Sequence, residues 1–211
     1  MTNANATTNC SRCDHVPDQI HSWACGIDSY ARNYNSVVVT IRTYLDGDAA
    51  ALANVMWRSV SVAARRDYST DQVTAWLPGP PAAAAMHRWA NDGRTVLVAQ
   101  DDDDLVVGYM DLERSGHIDH LYCVPEVNGH GVASALYDSI EQLAIAKGVE
   151  RLWVEASEAA RRLFAKKGFI VDERREWDLR GVRIHNYAMS KKLRPVLNSP
   201  AIFWFRLDKW K

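Results

Sequence analysis

Hydrophobic and polar positions along the chain change their spacing several times, and each change marks a predicted element. Residues 37–45 alternate and are rich in β-branched side chains, which predicts a strand. In residues 49–66 the apolar positions recur three and four apart, which predicts a helix with one apolar face. The aspartates at 46 and 48 are candidates to cap its N-terminus.

Two shorter helices are predicted before the next strand. Ser69, with Gln72 three residues later, matches a capping box, and Pro78 ends the short helix that starts there. Residues 81–92 predict another helix, which Gly93 closes.

The middle of the chain predicts three antiparallel strands and then a long helix. Residues 95–100, 105–113 and 117–124 are strand-like segments separated by short polar turns, which is typical of a meander. The segment from Gly131 to Gly148 has the clearest helical periodicity in the chain.

The last part of the pattern is a strand, a helix and a hairpin. Residues 151–157 predict a buried strand, residues 158–168 a helix, and residues 169–190 a hairpin that turns at Arg180 and Gly181. The complete order predicts a single α/β domain with a mixed, mostly antiparallel sheet and flanking helices.

Composition narrows the class of protein without identifying it. The chain has 211 residues, of which 47% are apolar and 24% charged, and its net charge is −1. This balance excludes a disordered or collagen-like chain and provides no basic field for nucleic acid or an anionic membrane. No apolar run approaches the roughly 18 residues of a membrane helix, so we expect a cytoplasmic protein with reduced cysteines.

Both ends of the chain differ from the domain pattern, which spans residues 37–193. Residues 1–36 are polar and are expected to form an extension. Zinc binding there is an open alternative to the metal-free extension that we expect, because several side chains have ligand spacing. They are Cys10, Cys13, His15, His21 and Cys25. The tail, residues 194–211, carries four large aromatic residues, which favours packing on the domain or a homodimer contact over membrane binding.

A glycine-bearing turn before the long helix carries the strongest chemical signal. Gly129 and Gly131 allow the backbone to turn sharply and to approach a ligand closely. The N–H groups from Gly129 to Ala133 would point outward at the positive end of the helix dipole, an arrangement that binds phosphate groups. An ordinary strand-to-helix turn is the alternative interpretation of the same glycines.

Two further segments, taken together with this turn, indicate a known family. Asn128, Gly131 and Ala133 fit the pattern Q/R-x-x-G-x-G/A except at the first position, and Phe164 falls within A-x-x-x-[YF]-x-x-x-G-F. Residues 67–78 fit D-Y-S-x-x-Q-x-x-A-W-x-P. The chain thereby resembles the GNAT superfamily of acyl-CoA-dependent N-acyltransferases over residues 37–193, and a group of its small bacterial members in particular.

The resemblance implies a splayed sheet that binds acetyl-CoA as the acyl donor. The pantetheine arm would pair with the backbone near Cys123 and Val124, and the diphosphate would lie on the turn and the helix start. Phe164 stands where many relatives carry a Tyr beside the sulfur. The implied cofactor-binding residues are Cys123, Val124, Asn128, Gly129, His130, Gly131, Val132, Ala133, Ser134 and Phe164.

Acyl transfer to an amine calls for a general base, because an alkylamine of pKa about 10.4 is protonated at pH 7. If residues 117–124 form one strand, alternation places Asp119 and Cys123 on one face and His120 and Tyr122 on the other. Asp119 lies four residues before Cys123, where several family members carry a catalytic Glu, and is the first candidate. The other candidates are His117, His120 and Glu113.

The thiolate and the oxyanion also need partners. Phe164 has no hydroxyl to protonate the departing sulfur, so Ser157 and Tyr122 are the candidates, with Tyr68 and water as alternatives. A backbone N–H near Cys123 or Val124 is the candidate for the oxyanion. Cys123 itself is interpreted as a packing residue, because no histidine partner is identifiable.

The predicted function is transfer of acetyl from acetyl-CoA to a primary amine of a small molecule, by direct attack in a ternary complex and without a metal. Two alternatives stay open: acetylation of a protein or peptide amine, and an acyl-CoA-binding module without turnover. The departures at Asn128 and Phe164 keep the second alternative open.

Overall fold

The computed structural model describes residues 38–193 of the chain, where eight strands and five α-helices follow the predicted order. The strands are β1 (Thr40–Thr43), β2 (Thr95–Gln100), β3 (Val106–Leu112), β4 (His117–Ile118), β5 (Leu121–Cys123), β6 (Arg151–Ala156), β7 (Ile170–Leu179) and β8 (Val182–Lys192). The helices are α1 (Ala49–Ser61), α2 (Thr70–Trp76), α3 (Ala83–Ala90), α4 (Val132–Ala146) and α5 (Glu158–Lys166). No helix in this part of the chain is both long enough and apolar enough to cross a membrane. The predicted extension with its candidate zinc ligands, and the predicted tail, lie outside the described residues.

The strands form two four-stranded sheets. The first has the order β1-β2-β3-β5 and is antiparallel throughout. The second has the order β4-β6-β8-β7, in which only β4 and β6 are parallel. Helices α1 and α4 pack on the first sheet, and α5 packs on β6 and β8 of the second. The predicted α/β domain, with mostly antiparallel and splayed strands, is therefore confirmed.

The segment predicted as one continuous strand, residues 117–124, is broken at Asp119 and His120. Before the break β4 pairs with β6, with Ile118 opposite Val154, and after it β5 pairs with β3 of the other sheet. The predicted division of this segment into two alternating faces is therefore wrong, because the chain changes sheets in the middle. Strand β6 continues to Ala156 while β5 turns away from it, and a cleft opens between them.

A buried carboxylate holds this break in place. Asp111 of β3 has no exposed surface, and its Oδ1 accepts hydrogen bonds from the N–H groups of Asp119 (3.0 Å) and His120 (2.8 Å). Its Oδ2 accepts from the guanidinium of Arg94. The two N–H groups that leave the strand ladder at the break are thereby satisfied, as buried backbone groups must be.

The starts of the first two helices show one wrong and one correct prediction. Asp48 does not cap α1; its carboxylate accepts from Leu45 N–H at 2.7 Å and pairs with the Arg42 guanidinium of β1. The capping box of α2 is formed: Ser69 Oγ accepts from Gln72 N–H, and Gln72 Oε1 accepts from Ser69 N–H. The position of Asp48 before a helix therefore does not by itself make it a cap, because the Arg42 guanidinium and Leu45 N–H occupy its carboxylate.

The closing hairpin turns where the sequence predicts. Arg180 and Gly181 have φ angles of +50° and +77°, the left-handed conformation at both positions that a two-residue type I′ turn requires. Strand β7 is an edge strand of the second sheet, and nearly all of its side chains are exposed.

Replacing Asp111 with Ala is expected to lower the free energy of unfolding by about 3–5 kcal/mol, because Arg94 and two backbone N–H groups lose a buried acceptor. Asp111→Asn keeps one acceptor oxygen and should lose less. Urea unfolding measures both variants. The control is Asp102→Asn at an exposed turn position, expected within about 0.5 kcal/mol of the wild type. Wild-type stability of Asp111→Ala would contradict this role.

Candidate active site

The first cleft, of about 220 Å³, opens where β5 turns away from β6. Its walls include Tyr122 and Cys123 of β5, Asn128 of the glycine turn, Ala133 of α4 and Ser157 before α5. Residues that the sequence places on separate elements therefore meet at one cleft, which we call the donor cleft.

The pairing of β5 with β3 decides which of its backbone groups face this cleft. Val124 N–H donates to Val107 O at 2.9 Å, and Val124 O accepts from Val127 N–H at 3.2 Å. The Val124 N–H is therefore not available to an oxyanion, which corrects that prediction. Its carbonyl oxygen has a second lone pair, and the contact with pantetheine stays a prediction. Neighbouring residues of an antiparallel strand point their N–H and C=O groups to opposite sides. Cys123 consequently directs its backbone groups away from β3, towards the open side.

The glycine turn has the geometry that the sequence indicates. Gly129 and Gly131 have φ angles of +85° and +84°, and a Cβ built on either would meet no atom within 4 Å, so the turn faces open space. No described side chain caps α4. The carbonyl of Gly131, the residue before the helix, accepts from Ala135 N–H at 2.9 Å. The N–H groups of residues 132–134 thus point out of the helix end. The His130 ring lies back on the turn, with Nδ1 3.1 Å from the carbonyl oxygen of residue 128.

Phe164 does not reach the donor cleft. It has no exposed surface and packs against Phe169 and Tyr137, with ring centroids 4.8 Å and 5.9 Å away. Leu163, the preceding residue of α5, lines the cleft instead. The predicted cofactor-binding role of Phe164 is wrong, because its side chain belongs to the aromatic core beneath α5.

A second cleft, of about 270 Å³, meets the first. Its lining includes Asp119 and His120 from the break between β4 and β5. Because both residues are candidates from the sequence for the base that deprotonates the acceptor, we call it the acceptor cleft. The two clefts share four lining residues, which are Tyr68, Trp76, Tyr122 and Ser157. A molecule in one cleft therefore lies beside a molecule in the other at this shared wall.

Tyr68 fixes the shared wall to α5 and to β8 of the second sheet. Its hydroxyl accepts from the N–H of Glu158 at the start of α5 (3.1 Å) and donates to the carbonyl of His185 on β8 (3.3 Å). Its ring also lies on the His185 ring, with centroids 5.3 Å apart.

Two further polar residues around α2 hold the wall from either side. Both Asp67 oxygens accept from the guanidinium of Arg162 on α5, at 2.9 Å and 2.6 Å. Gln72 Nε2 donates to the carbonyl of Arg183 on β8 at 2.8 Å. The family-like segment, residues 67–78, therefore positions the wall through its polar residues.

The electrostatics at the strand break favour His120 over Asp119 as a base. Asp119 Oδ2 lies 3.2 Å from His120 Nδ1 and 3.0 Å from Arg94 Nη1, and these neighbours hold the pKa of Asp119 well below its usual range. Burial of His120 lowers its pKa, but the carboxylates of Asp111 and Asp119 outweigh burial and raise that pKa above its ordinary value. A carboxylate of very low pKa is a weak base, whereas an imidazole of raised pKa is a stronger one.

The same cluster has metal-ligand chemistry, but a cation of the chain already sits in it. Ligand atoms of Asp111, Asp119 and His120 lie within 4.8 Å of one another. The Arg94 guanidinium contacts both carboxylates. Burial lowers the pKa of Arg94, but its hydrogen bonds to Asp92, Asp111 and Asp119 outweigh burial and raise that pKa. Arg94 therefore supplies the positive charge of this network.

Three hydroxyl or thiol groups at the junction of the clefts have defined states. Burial raises the pKa of Tyr122 well above its usual value, so its hydroxyl stays protonated. Burial raises the pKa of Cys123 to about 12, which agrees with the packing interpretation and not with a nucleophile. Ser157 Oγ accepts from Ala160 N–H at 3.3 Å as the cap of α5, and its own hydrogen is left to donate.

Several residues of the site were not found by sequence reasoning. Asp111 and Arg94 had a signal that was not used: an aspartate within an otherwise apolar strand must find a buried partner. Trp177 and Asn186, which also line the acceptor cleft, had none, because their hairpin alternates polar and apolar residues without indicating which face is covered.

Two clefts share one wall beside a helix start that no described side chain caps, so the domain offers adjacent sites for two molecules. A family model described as an acetyltransferase (GNAT) domain matches residues 64–191. The N-acetyltransferase YafP of Escherichia coli is 30% identical over 156 residues, which cover 73% of this chain and 96% of the relative. An uncharacterized N-acetyltransferase of Mycobacterium tuberculosis is 26% identical over 153 residues, covering 69% of this chain and 98% of the relative.

Solved structures agree with this assignment. A GCN5-related N-acetyltransferase of Rhodopseudomonas palustris has a TM-score of 0.65 and 31% identity, covering 77% of this chain and 100% of that one. A phosphinothricin acetyltransferase of Sinorhizobium meliloti, solved with acetyl-CoA, shares the fold with a TM-score of 0.60 and 20% identity, covering 74% of this chain and 88% of that one. The chain belongs to the GNAT family, and its domain is that of an acetyltransferase.

The raised pKa of His120 predicts how stability depends on pH. A group whose pKa is higher in the folded state contributes stability that is complete below its unfolded pKa, about 6.5, and is lost as pH rises through the folded pKa. The wild type should therefore exceed His120→Gln in free energy of unfolding by a margin that is full below about pH 6.5 and shrinks as the pH rises above it. Urea unfolding below and above this pH measures the margin, and a margin that is constant or grows with pH would contradict the assignment.

Proposed function

We propose that the chain transfers the acetyl group of acetyl-CoA to a primary amine of a small molecule, by direct attack of the amine on the thioester while both substrates are bound. The observation that carries the proposal is the shared wall of the two clefts, at Tyr122 and Ser157. A thioester at the inner end of the donor cleft lies next to an amine in the acceptor cleft, so the acyl group needs no protein-bound intermediate.

The donor is held by the glycine turn and by β5. The N–H groups from Gly131 to Ser134 bind the diphosphate, with Gly129 and His130 forming the turn beside it and Asn128 the adjacent wall. Val132 contributes only its N–H, because its side chain is buried. The backbone of Cys123 pairs with the pantetheine arm on the open side of β5.

His120 accepts the proton of the amine in this proposal. An ammonium at pH 7 must lose its proton at a cost of about 4–5 kcal/mol before it can attack. His120 Nδ1 lies 3.2 Å and 3.8 Å from the carboxylates of Asp119 and Asp111 without the geometry of a hydrogen bond, so these carboxylates act on the ring through their charge. We assign the uptake of the amine proton to Nε2, the other ring nitrogen. Asp119, the first candidate from sequence, becomes a residue that raises the pKa of the ring.

The remaining charges of the reaction fall on groups at the cleft junction. The Cys123 N–H is directed to the open side of β5 and donates to the oxyanion. Tyr122 and Ser157 donate hydrogen bonds to the departing sulfur. A thiolate of pKa about 8.5 is already a fair leaving group, so the absence of a hydroxyl at residue 164 does not prevent turnover.

Gly131→Asp is expected to weaken acetyl-CoA binding by roughly fivefold or more relative to Gly131→Asn, since a like charge a few ångströms from the diphosphate costs about 1 kcal/mol or more. Asn and Asp both tolerate the left-handed backbone, and an added Cβ at this position meets no atom within 4 Å. The pair therefore differs in charge alone. Calorimetric titration with acetyl-CoA measures the affinities, and equal dissociation constants for the two folded variants would remove the diphosphate from this turn.

His120→Gln is expected to lower kcat by about 10²–10⁴-fold. In the wild type, kcat should rise with pH to a midpoint above about 6.5, because only the neutral ring accepts a proton. Asp119→Asn removes a neighbour that raises the pKa of His120, so this midpoint moves to lower pH. His87→Gln, outside both clefts, is the control with unchanged kcat. If the midpoint of the kcat–pH profile is the same in Asp119→Asn as in the wild type, Asp119 does not act on the catalytic base, and the pairing of Asp119 with His120 is rejected.

A further inference from the structure

Part of the lining of the acceptor cleft is apolar and aromatic. Its side chains come from four elements: Met56 of α1, Trp76 of α2, Trp177 and Leu179 of β7 and Ile184 of β8. Trp177 is 38% exposed on a strand whose other side chains are mostly charged, and it stands opposite Ile184 in the hairpin. Large apolar side chains that border a cleft offer a face for a flat apolar molecule.

The charged side chains of this cleft have one sign. Asp119 and Glu155 line it, and no lysine or arginine does among the described residues. The basic partners of both carboxylates contact them from outside the lining. Arg94 Nη1 lies 3.0 Å from Asp119, and Glu155 is contacted by Arg175 Nη1 at 3.2 Å and by His117 Nε2 at 2.9 Å. A cationic acceptor is therefore favoured, whereas a carboxylate on the acceptor would meet two carboxylates and no fixed cation in the lining.

Two polar atoms of the cleft, His120 Nδ1 and Asn186 Oδ1 of β8, are buried without a hydrogen-bond partner among the described residues, and Asn186 Oδ1 is an acceptor. A buried acceptor without a hydrogen bond costs about 1–3 kcal/mol, so a bound molecule that donates a hydrogen bond to Asn186 Oδ1 removes that cost. An ammonium or amine N–H is such a donor.

The size of the cleft restricts what accompanies the amine. Its volume is about 270 Å³, which suits one ring with a short chain.

We propose that the acceptor is a compact arylalkylamine, in which one aromatic ring lies against Trp177 and Trp76 and a short chain carries the amine towards Asp119 and His120. This inference rests on the function proposed above and names its substrate class. Glu155, Asn186 and Trp177 are then specificity-determining residues: the first two select a cation without a carboxylate, and Trp177 selects the ring.

The test measures thiol release from acetyl-CoA by the full chain with matched acceptors. 2-Phenylethylamine and phenylalanine differ in one carboxylate, and 2-phenylethylamine and n-butylamine differ in the ring. Spermidine and a short peptide represent the other amine classes. We expect kcat/KM for 2-phenylethylamine to exceed that for each of the others by about tenfold or more.

Variants identify the residues responsible. Trp177→Ala should raise KM for 2-phenylethylamine about three- to tenfold and leave KM for n-butylamine unchanged, because only the ring contact is lost. Val171→Ala, at an exposed position of the same strand outside the cleft, is the matched control. Glu155→Gln should narrow the preference for 2-phenylethylamine over phenylalanine severalfold.

The outcomes separate this inference from the function it rests on. Turnover of phenylalanine, spermidine, n-butylamine or the peptide with kcat/KM equal to or above that of 2-phenylethylamine overturns the arylalkylamine class and leaves amine acetylation standing. An equal rise of KM for both monoamines in Trp177→Ala overturns the ring contact. Binding of acetyl-CoA without thiol release for any amine overturns both proposals.

Discussion

Where the chain crosses from one sheet to the other, the N–H groups of Asp119 and His120 lose their strand partners, and Asp111 Oδ1 accepts both of them. Without this acceptor the crossing would leave buried donors unsatisfied, at about 1–3 kcal/mol each. Much of the site follows from it. Strand β5 can leave β6, the donor cleft opens between them, and Cys123 presents its backbone to that opening. The same carboxylate, with Asp119 beside it, sets the protonation of His120.

The wall between the two clefts depends on polar tethers more than on its own helix. Helix α2 has seven residues, which is too short to be stable alone. Asp67 ties its start to α5, Tyr68 ties it to both α5 and β8, and Gln72 ties it to β8. The tethered polar residues leave Tyr68 and Trp76 free to form the wall with their rings. The spacing of Asp67, Tyr68 and Gln72 in residues 67–78 is thus explained by the different partner that each of them contacts on α5 or β8.

Features that depend on neighbouring residues were predictable from the sequence, and features that depend on distant partners were not. The capping box at Ser69, the turn at Arg180 and the glycine turn before α4 are local, so composition and spacing suffice. The break between β4 and β5 was missed because alternation shows the faces of a strand but not a change of partner. The Val124 N–H was assigned to an oxyanion because the sequence does not show the register of β5 with β3, which decides which residues of β5 turn their N–H groups towards β3. Phe164 was assigned to the cofactor from its motif position, while its burial depends on Tyr137 and Phe169.

The shared wall also has a thermodynamic consequence. Tyr68 and Trp76 contact the space of both substrates, so a rearrangement of these rings that one substrate favours changes the affinity for the other. Linkage requires this coupling to be reciprocal: the factor by which a bound donor changes the acceptor's dissociation constant equals the factor by which a bound acceptor changes the donor's. A substitution in the wall therefore alters synergy between the substrates even where each of them, bound alone, keeps its affinity.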